Sequence, residues 1–258
     1  MKKTLIALMA LAGVACAFDN VSISFDGTLP SGFTWAPKTA GAAANYVDSG
    51  LVGYGKAIDF NKDGFIDTEG DYKSIINGSA DADFSVVTTV KFESWVELTE
   101  GYDGVENRIF LFGSGANNAS GLGWYINNGN MGITLKTKSH NSLATSPGLE
   151  LNTWYTLALS YSASNDTATF YVNGESVGTL NLTDKASVAT TAGLGVGSGG
   201  GSRQGLWDGQ MADFKLFNSA LTADQVAAYG APVAIPEPAT ATLSLLALAG
   251  LCARRRRA

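Results

Sequence analysis

Asp59, Asn61, Asp63 and Asp67 set side-chain oxygens at positions 1, 3, 5 and 9 of a twelve-residue loop, with Gly64 at 6 and Ile66 at 8. That spacing wraps oxygen ligands around a hard cation, and calcium is the cofactor it would take. Position 12 is Gly70, flanked by Glu69 and Asp71, so the closing bidentate carboxylate is out of register by one residue. The preceding residues 54–58 read as strand rather than as an entering helix, and a water-facing polar turn stands beside the calcium reading. Asp67, Glu69 and Asp71 alternate, and on a strand they would share a face, as the paired acids of a glycoside hydrolase do. The bracketing Gly64 and Gly70 argue for a turn instead, and no catalytic residue is assigned.

Sugar recognition needs flat aromatic surface beside amides and acids, because C–H faces stack on rings while hydroxyls need oriented partners. Trp95 and Tyr102 stand near Glu97, Glu100 and Asp103; Trp124 and Tyr125 precede Asn127, Asn128 and Asn130; Trp207 stands beside Arg203 and Asp208. The ligand-binding candidates are therefore Trp95, Tyr102, Trp124, Tyr125, Asn127 and Arg203. Packing between sheets is the competing role of each ring, and Trp154 is assigned to the core. His140, the one histidine, falls in the polar stretch KTKSHNSLATSPG, read as a loop, which leaves a serine or cysteine nucleophile without a base.

The elements that position these groups are strands. Apolar, β-branched and aromatic runs recur at 21–25, 56–60, 84–92, 108–112, 123–126, 132–137, 154–161, 168–172, 194–197 and 210–217. In the clearest of them Tyr155, Leu157, Leu159 and Tyr161 share one face, and Thr156, Ala158 and Ser160 the other. Asn173 and Gly174 supply a tight turn before a strand at 176–180, completing a three-stranded meander. A short helix follows, with Thr222 as N-cap, Gln225 closing a capping box, Gly230 ending it and Pro232 barring its continuation. The expectation is an all-β, antiparallel jelly-roll sandwich with one short C-terminal helix.

The two ends read differently. Lys2 and Lys3, an apolar run from 4 to 14, and Ala15-Cys16-Ala17 follow the order of a secretory signal helix cut after residue 17 by signal peptidase. That run is too short to cross a hydrocarbon core, which needs roughly 20 residues. Pro236, Glu237 and Pro238 lead into a mostly Leu and Ala hydrophobic helix at 240–253, and Arg254, Arg255, Arg256 and Arg257 form a cationic stop that stays cytoplasmic. Between them, residues 18–235 hold 22 acids against 11 bases, a net charge of −11. Such a body stays soluble and repels nucleic acid and anionic membrane. Cys16 and Cys252 both lie in the end segments, so the body has no thiol chemistry.

The tail PEPATATLSLLALAGLCARRRR closely resembles the PEP-CTERM sorting signal of Gram-negative bacteria, which implies cleavage near Pro236-Glu237-Pro238 by an exosortase and transfer to the outer envelope. The segments WYTLALSYSASNDTATFYVNGESVGT, at 154–179, and GLGVGSGGGSRQGLWDGQMADFKLFNSALTADQVAAY, at 193–229, resemble the LamG-like jelly roll of the concanavalin A-like lectin/glucanase superfamily. Where many members carry two acids after the strand glycine, this chain has Met211, Ala212 and Asp213. The resemblance implies three regions: a signal peptide at 1–17, a LamG-like domain at 18–231 and a sorting signal at 232–258. The reading is an exported, transiently membrane-anchored surface protein whose non-catalytic module binds glycan or another envelope component. A matrix protein without small ligand and a polysaccharide hydrolase are the alternatives.

Overall fold

The computed structural model describes residues 19–68, 83–95, 108–112, 122–127, 129–135, 139–182, 194–197 and 208–235. Strands dominate because the sequence alternates apolar and polar residues with period two, which suits a pleated sheet with one buried face. In chain order they are β1 (Asp19–Ser24), β2 (Phe33–Pro37), β3 (Asn45–Asp48), β4 (Lys56–Asp59), β5 (Gly64–Thr68), β6 (Phe84–Ser94), β7 (Arg108–Phe112) and β8 (Leu122–Asn127). There follow β9 (Asn130–Leu135), β10 (Ser139–Ser142), β11 (Trp154–Ser162), β12 (Thr167–Val172), β13 (Glu175–Asn181), β14 (Leu194–Val196), β15 (Asp208–Phe217) and the helix α1 (Ala223–Ala227).

They form two antiparallel sheets. One runs β13-β12-β11-β6-β15-β4-β3, with β1 also paired to β15; the other runs β10-β9-β8-β7-β14-β5-β2. The jelly-roll sandwich expected from the sequence is the fold. Inward residues of both sheets fill the space between them: Phe84 stacks on Tyr161 at 5.2 Å, and Trp124 meets Phe170 across the gap at 6.5 Å. The short turn after β4 carries the chain from one sheet into the other, so β4 and β5 lie on opposite sides of the core.

The β11-β12-β13 meander stands in the order read from the sequence. Asn173 and Gly174 both take positive φ, 53° and 86°, in its turn, the conformation that a tight primed hairpin demands. A side chain at Gly174 would also press within 3.0 Å of Ala227 in the helix. Thr222 and Gln225 form the expected capping box. Val226 and Leu221 then bury against Val87, Ala158, Tyr171 and Phe217, on the outward side of the eight-stranded sheet. Four strands escaped the sequence pattern, β2, β3, β5 and β10; residues 64–68, read as part of a turn, form β5 because Phe65 and Ile66 bury against the core and the strand pairs with β2. His140 lies in β10, paired to Thr134, rather than in a loop.

β15 enters its place through a bulge between Asp208 and Gly209. Gly209 adopts φ of 153°, and a Cβ there would fall 2.1 Å from the Lys91 carbonyl oxygen. Its own carbonyl accepts from the Phe60 amide at 3.0 Å, so β4, β15 and β6 converge at one glycine. Gly209→Ala is expected to cost about 1–3 kcal/mol through backbone strain. A urea midpoint that falls with unchanged slope would show it, and an unchanged midpoint would refute it.

Candidate functional site

Ile58 and Phe60, Val90 and Phe92, and Met211 all point into the core. Alternation therefore turns Asp59, Lys91 and Gln210 outward from the eight-stranded sheet. Trp154 precedes the inward Tyr155 and packs with the outward cluster of Leu51, Ala57 and Ala212, which also takes in Val47 two residues beyond Asn45. The registers Asn45↔Asp59, Asp59↔Gln210, Gln210↔Lys91 and Lys91↔Trp154 then line up five side chains from five strands. At the usual strand spacing this transverse row spans about 19 Å.

Its chemistry is amide, acid, amide, cation and indole, in that order. Asn45 Nδ2 donates to Asp59 Oδ2 at 3.1 Å, while Asp59 Oδ1 is enclosed without a hydrogen-bond partner. Burial, then the Glu93 carboxylate, push the Asp59 carboxyl above its ordinary range; Asn45 offsets part of this, Asp208 adds to it, and the Asn61 amide offsets a little. Gln210 Nε2 donates to Glu93 Oε1 at 2.8 Å, and Lys91 Nζ lies 3.2 Å from the same oxygen. The Lys91 ammonium also sits 5.6 Å from the Trp154 ring centroid, a contact worth about 0.5–1 kcal/mol at an exposed site and so readily exchanged for another partner. Asp208 is held by Lys62 at 3.2 Å and by the Ser94 hydroxyl.

A wall stands along one side of the row. The loop between β3 and β4 folds over Ala57 and Ala212 and buries Leu51 there. Residues after the helix brace it: the Val52 amide donates to the Val233 carbonyl at 2.8 Å, and the Ile235 amide to the Gly50 carbonyl at 2.8 Å. Behind the wall the Tyr54 hydroxyl meets Thr89 Oγ1 at 3.1 Å, and the Thr89 amide donates to the buried Asp213 carboxylate at 2.8 Å. Burial, then Asp213, raise the Tyr54 phenol. Lys215 pairs with Asp213 and lies 5.6 Å from the Tyr229 ring centroid; burial works against its charge, and Asp213 more than offsets that, leaving it raised.

The aromatic and calcium candidates of the sequence do not assemble as one site. Trp124 is fully buried, because it shares the inward face of β8 with Ile126. Tyr125 is only 5% exposed, on the opposite face, where burial raises its phenol and a bond with Ser142 offsets part of the rise. Trp95 caps the end of the core, its ring 5.1 Å from Phe92. Asn127 ends β8, paired to Asn130. Tyr102, Arg203 and the sorting residues Pro236, Glu237, Pro238 and Arg254 to Arg257 lie outside the described residues. Asp59 leaves the outward face of one sheet and Asp67 that of the other, with the core between them, so the calcium candidates do not converge. Asn61 and Asp63 contact each other at 3.4 Å in the exposed turn. Among the described residues no three His, Cys, Asp or Glu side chains are placed to hold a metal ion.

Trp154, assigned to the core from the sequence, is half-buried on the outward face instead. Its own parity was the available signal, since it shares a face with Thr156, Ala158 and Ser160. Asn45, Lys91, Glu93 and Gln210 were missed because only cross-strand register, set between segments far apart in the chain, brings them together.

The family model described as the concanavalin A-like lectin/glucanases superfamily matches residues 67–227. Domain 4 of an extracellular arabinanase from Geobacillus stearothermophilus, solved with arabinotriose, is similar at 20% identity and a TM-score of 0.57, over 81% of this chain and 96% of that one. The CBM40 module of a Ruminococcus gnavus sialidase is similar at 16% identity and a TM-score of 0.50, over 67% and 96%. The binding domain of botulinum neurotoxin serotype G is similar at 15% identity and a TM-score of 0.56, over 82% of this chain and 50% of that one. No curated protein matches the sequence.

A carboxyl whose folded value is raised contributes stability that is present below its unfolded value and is lost as pH rises through the folded one. Ionised Asp59 therefore costs stability at neutral pH. Asp59→Asn, which keeps an acceptor for Asn45, should raise the melting temperature at pH 7, and the gain should vanish below about pH 3.9. A gain that grows with acidification would contradict the assignment.

Proposed function

Because the chain belongs to the concanavalin A-like lectin/glucanases superfamily, we propose that it is an exported, non-catalytic surface module that binds glycan on the outward ledge of its eight-stranded sheet. The observation that carries this is the row Asn45, Asp59, Gln210, Lys91 and Trp154, with Glu93 and Asp208 beside it. Amides and acids accept and donate to vicinal hydroxyls, and the indole offers an apolar surface to a ring's C–H face. The solved complex of the arabinanase domain with arabinotriose is a precedent for sugar binding by a protein of this fold.

Hydrolysis fits the ledge poorly. A catalytic pair needs one carboxylic acid to donate a proton while the other acts as base or nucleophile. Glu93 is engaged by Gln210 and Lys91, and Asp208 by Lys62 and Ser94, which leaves Asp59 without a second uncommitted carboxyl beside it among the described residues. The acidic character of the body and the two end segments support export, with the signal peptide removed by signal peptidase and the tail processed by an exosortase-type enzyme at the outer envelope. The membrane anchor is transient in this reading, and the regions are those drawn at 1–17, 18–231 and 232–258.

Two measurements test this. On a glycan array the chain should retain a defined set of sugars, and Trp154→Ala should weaken binding at least tenfold, about 1.4 kcal/mol, while the circular dichroism keeps its strand signal. Clean negatives on every sugar would favour the matrix-protein alternative. Cell fractionation should recover from the outer envelope a product lacking both ends; an intact chain free in the cytosol would defeat the export reading.

A further inference from the structure

The ledge also selects by charge. Its cations are both committed: Lys62 to Asp208 at 3.2 Å, and Lys91 to Glu93 at 3.2 Å. That leaves Asp59, among the described residues, as a carboxylate with no cation of its own, in a body whose net charge is −11. Its hydrogen bonding is just as one-sided. An ionised carboxylate can accept at about four lone-pair sites. Asp59 takes one side-chain hydrogen bond, from Asn45, and its Oδ1 takes none. The outer oxygen, Oδ2, accepts from Asn45 in an exposed hydrogen bond and keeps lone-pair capacity for a ligand. What it needs there is a donor.

A sugar hydroxyl supplies that donor. The carboxylate of a uronic or sialic acid does not; it adds a further negative charge beside Asp59, Glu93 and Asp208, with no uncommitted cation among the described residues of the ledge to receive it. Reach matters too. The row is about 19 Å long, which exceeds a single sugar ring and crosses the strands, with the indole at one end and the Asn45–Asp59 pair near the other. The loop that buries Leu51 bounds it on one side, so a ligand lies along the row rather than over it.

We propose that the ledge binds a neutral oligosaccharide lying across the strands from Trp154 to Asn45, and discriminates against acidic glycans. This rests on the glycan-binding reading above. Asp59 is the residue that sets the preference, as hydrogen-bond acceptor for a hydroxyl and as the uncompensated charge that repels a carboxylate. Gln210, oriented by Glu93, is the donor of the middle of the row.

Titration calorimetry on the full chain in low salt, with arabinotriose, xylotetraose and cellotetraose against tetragalacturonate, tests it. At least one neutral sugar should bind, and tetragalacturonate should bind at least tenfold more weakly, with that gap narrowing in molar salt as charges are screened. Asp59→Asn, in a chain at least as heat-stable as the parent, should weaken the neutral sugar and narrow the gap; Gln210→Ala should weaken the neutral sugar with the gap intact. Equal or tighter binding of tetragalacturonate would overturn the charge selection and leave glycan binding standing. Neutral binding indifferent to both substitutions would take the ledge out of the account. No binding by any of the three neutral sugars would bring down this inference, while the array decides the functional reading separately.

Discussion

The pairing of β15 with β6 is the constraint on which the rest of the molecule depends. These strands lie more than a hundred residues apart in sequence, yet they form the middle of the eight-stranded sheet, with β11 on one flank and β4 and β1 on the other. Period-two alternation makes their register unforgiving: a slip of one residue would send Val90, Phe92, Met211 and Phe214 into water and the ledge into the core. Two bulges in β15 adjust it to β6, and the first places Gly209 where only a glycine's missing side chain lets the strands meet. The same register that closes the core therefore also brings Gln210 beside Lys91 on one side and Asp59 on the other.

Two coverings meet on the outward face of that sheet. The helix buries Val87, Ala158, Tyr171 and Phe217 at one end, and the loop after β3, braced by residues 233–235, buries Ala57 and Ala212 nearer the other. Between them the buried Asp213–Lys215 pair reaches Thr89 and Tyr229 and ties the helix end to the sheet. Among the described residues, the row from Asn45 to Trp154 is left without such a cover, and it is polar. Under the proposed function its side chains are already ordered before a ligand arrives, which lowers the entropy lost on binding.

Much of the fold was legible in the sequence, and the reasons are local. The long strands alternate cleanly, Thr222 and Gln225 announce the helix, and Asn173-Gly174 announces its turn, because each depends on residues a few positions apart. The strands that escaped detection are of a different kind. β10 runs Ser139–Ser142 at the edge of its sheet with no apolar residue, and β2 is a short edge strand ending in Pro37, whose Phe33 and Trp35 pack on the core but are too few to display a period. The site was legible only in fragments. Asp59 stood out for its spacing to Asn61 and Asp63, which is the wrong neighbourhood: its partners in space are Asn45, Gln210 and Glu93. Trp124 and Trp154 exchange roles for one reason, that the first shares parity with Ile126 and the second with Thr156.

Asp59 shows why the site could not be inferred from packing logic alone. Choosing for stability would place asparagine there, which keeps the bond to Asn45 and removes a charge that burial and two neighbouring carboxylates disfavour. Residues that cost stability where a cheaper substitute exists concentrate at functional surfaces, because activity needs groups left unsatisfied in the free protein. The carboxylate lies in a row whose neighbouring members are ordered by their own partners, Gln210 and Lys91 by Glu93, so its spare acceptor capacity is the demand that the row itself does not meet. A ligand rich in hydroxyls meets it with a donor and without a charge, and the strain held at Asp59 then becomes part of the free energy of binding rather than a defect of the fold.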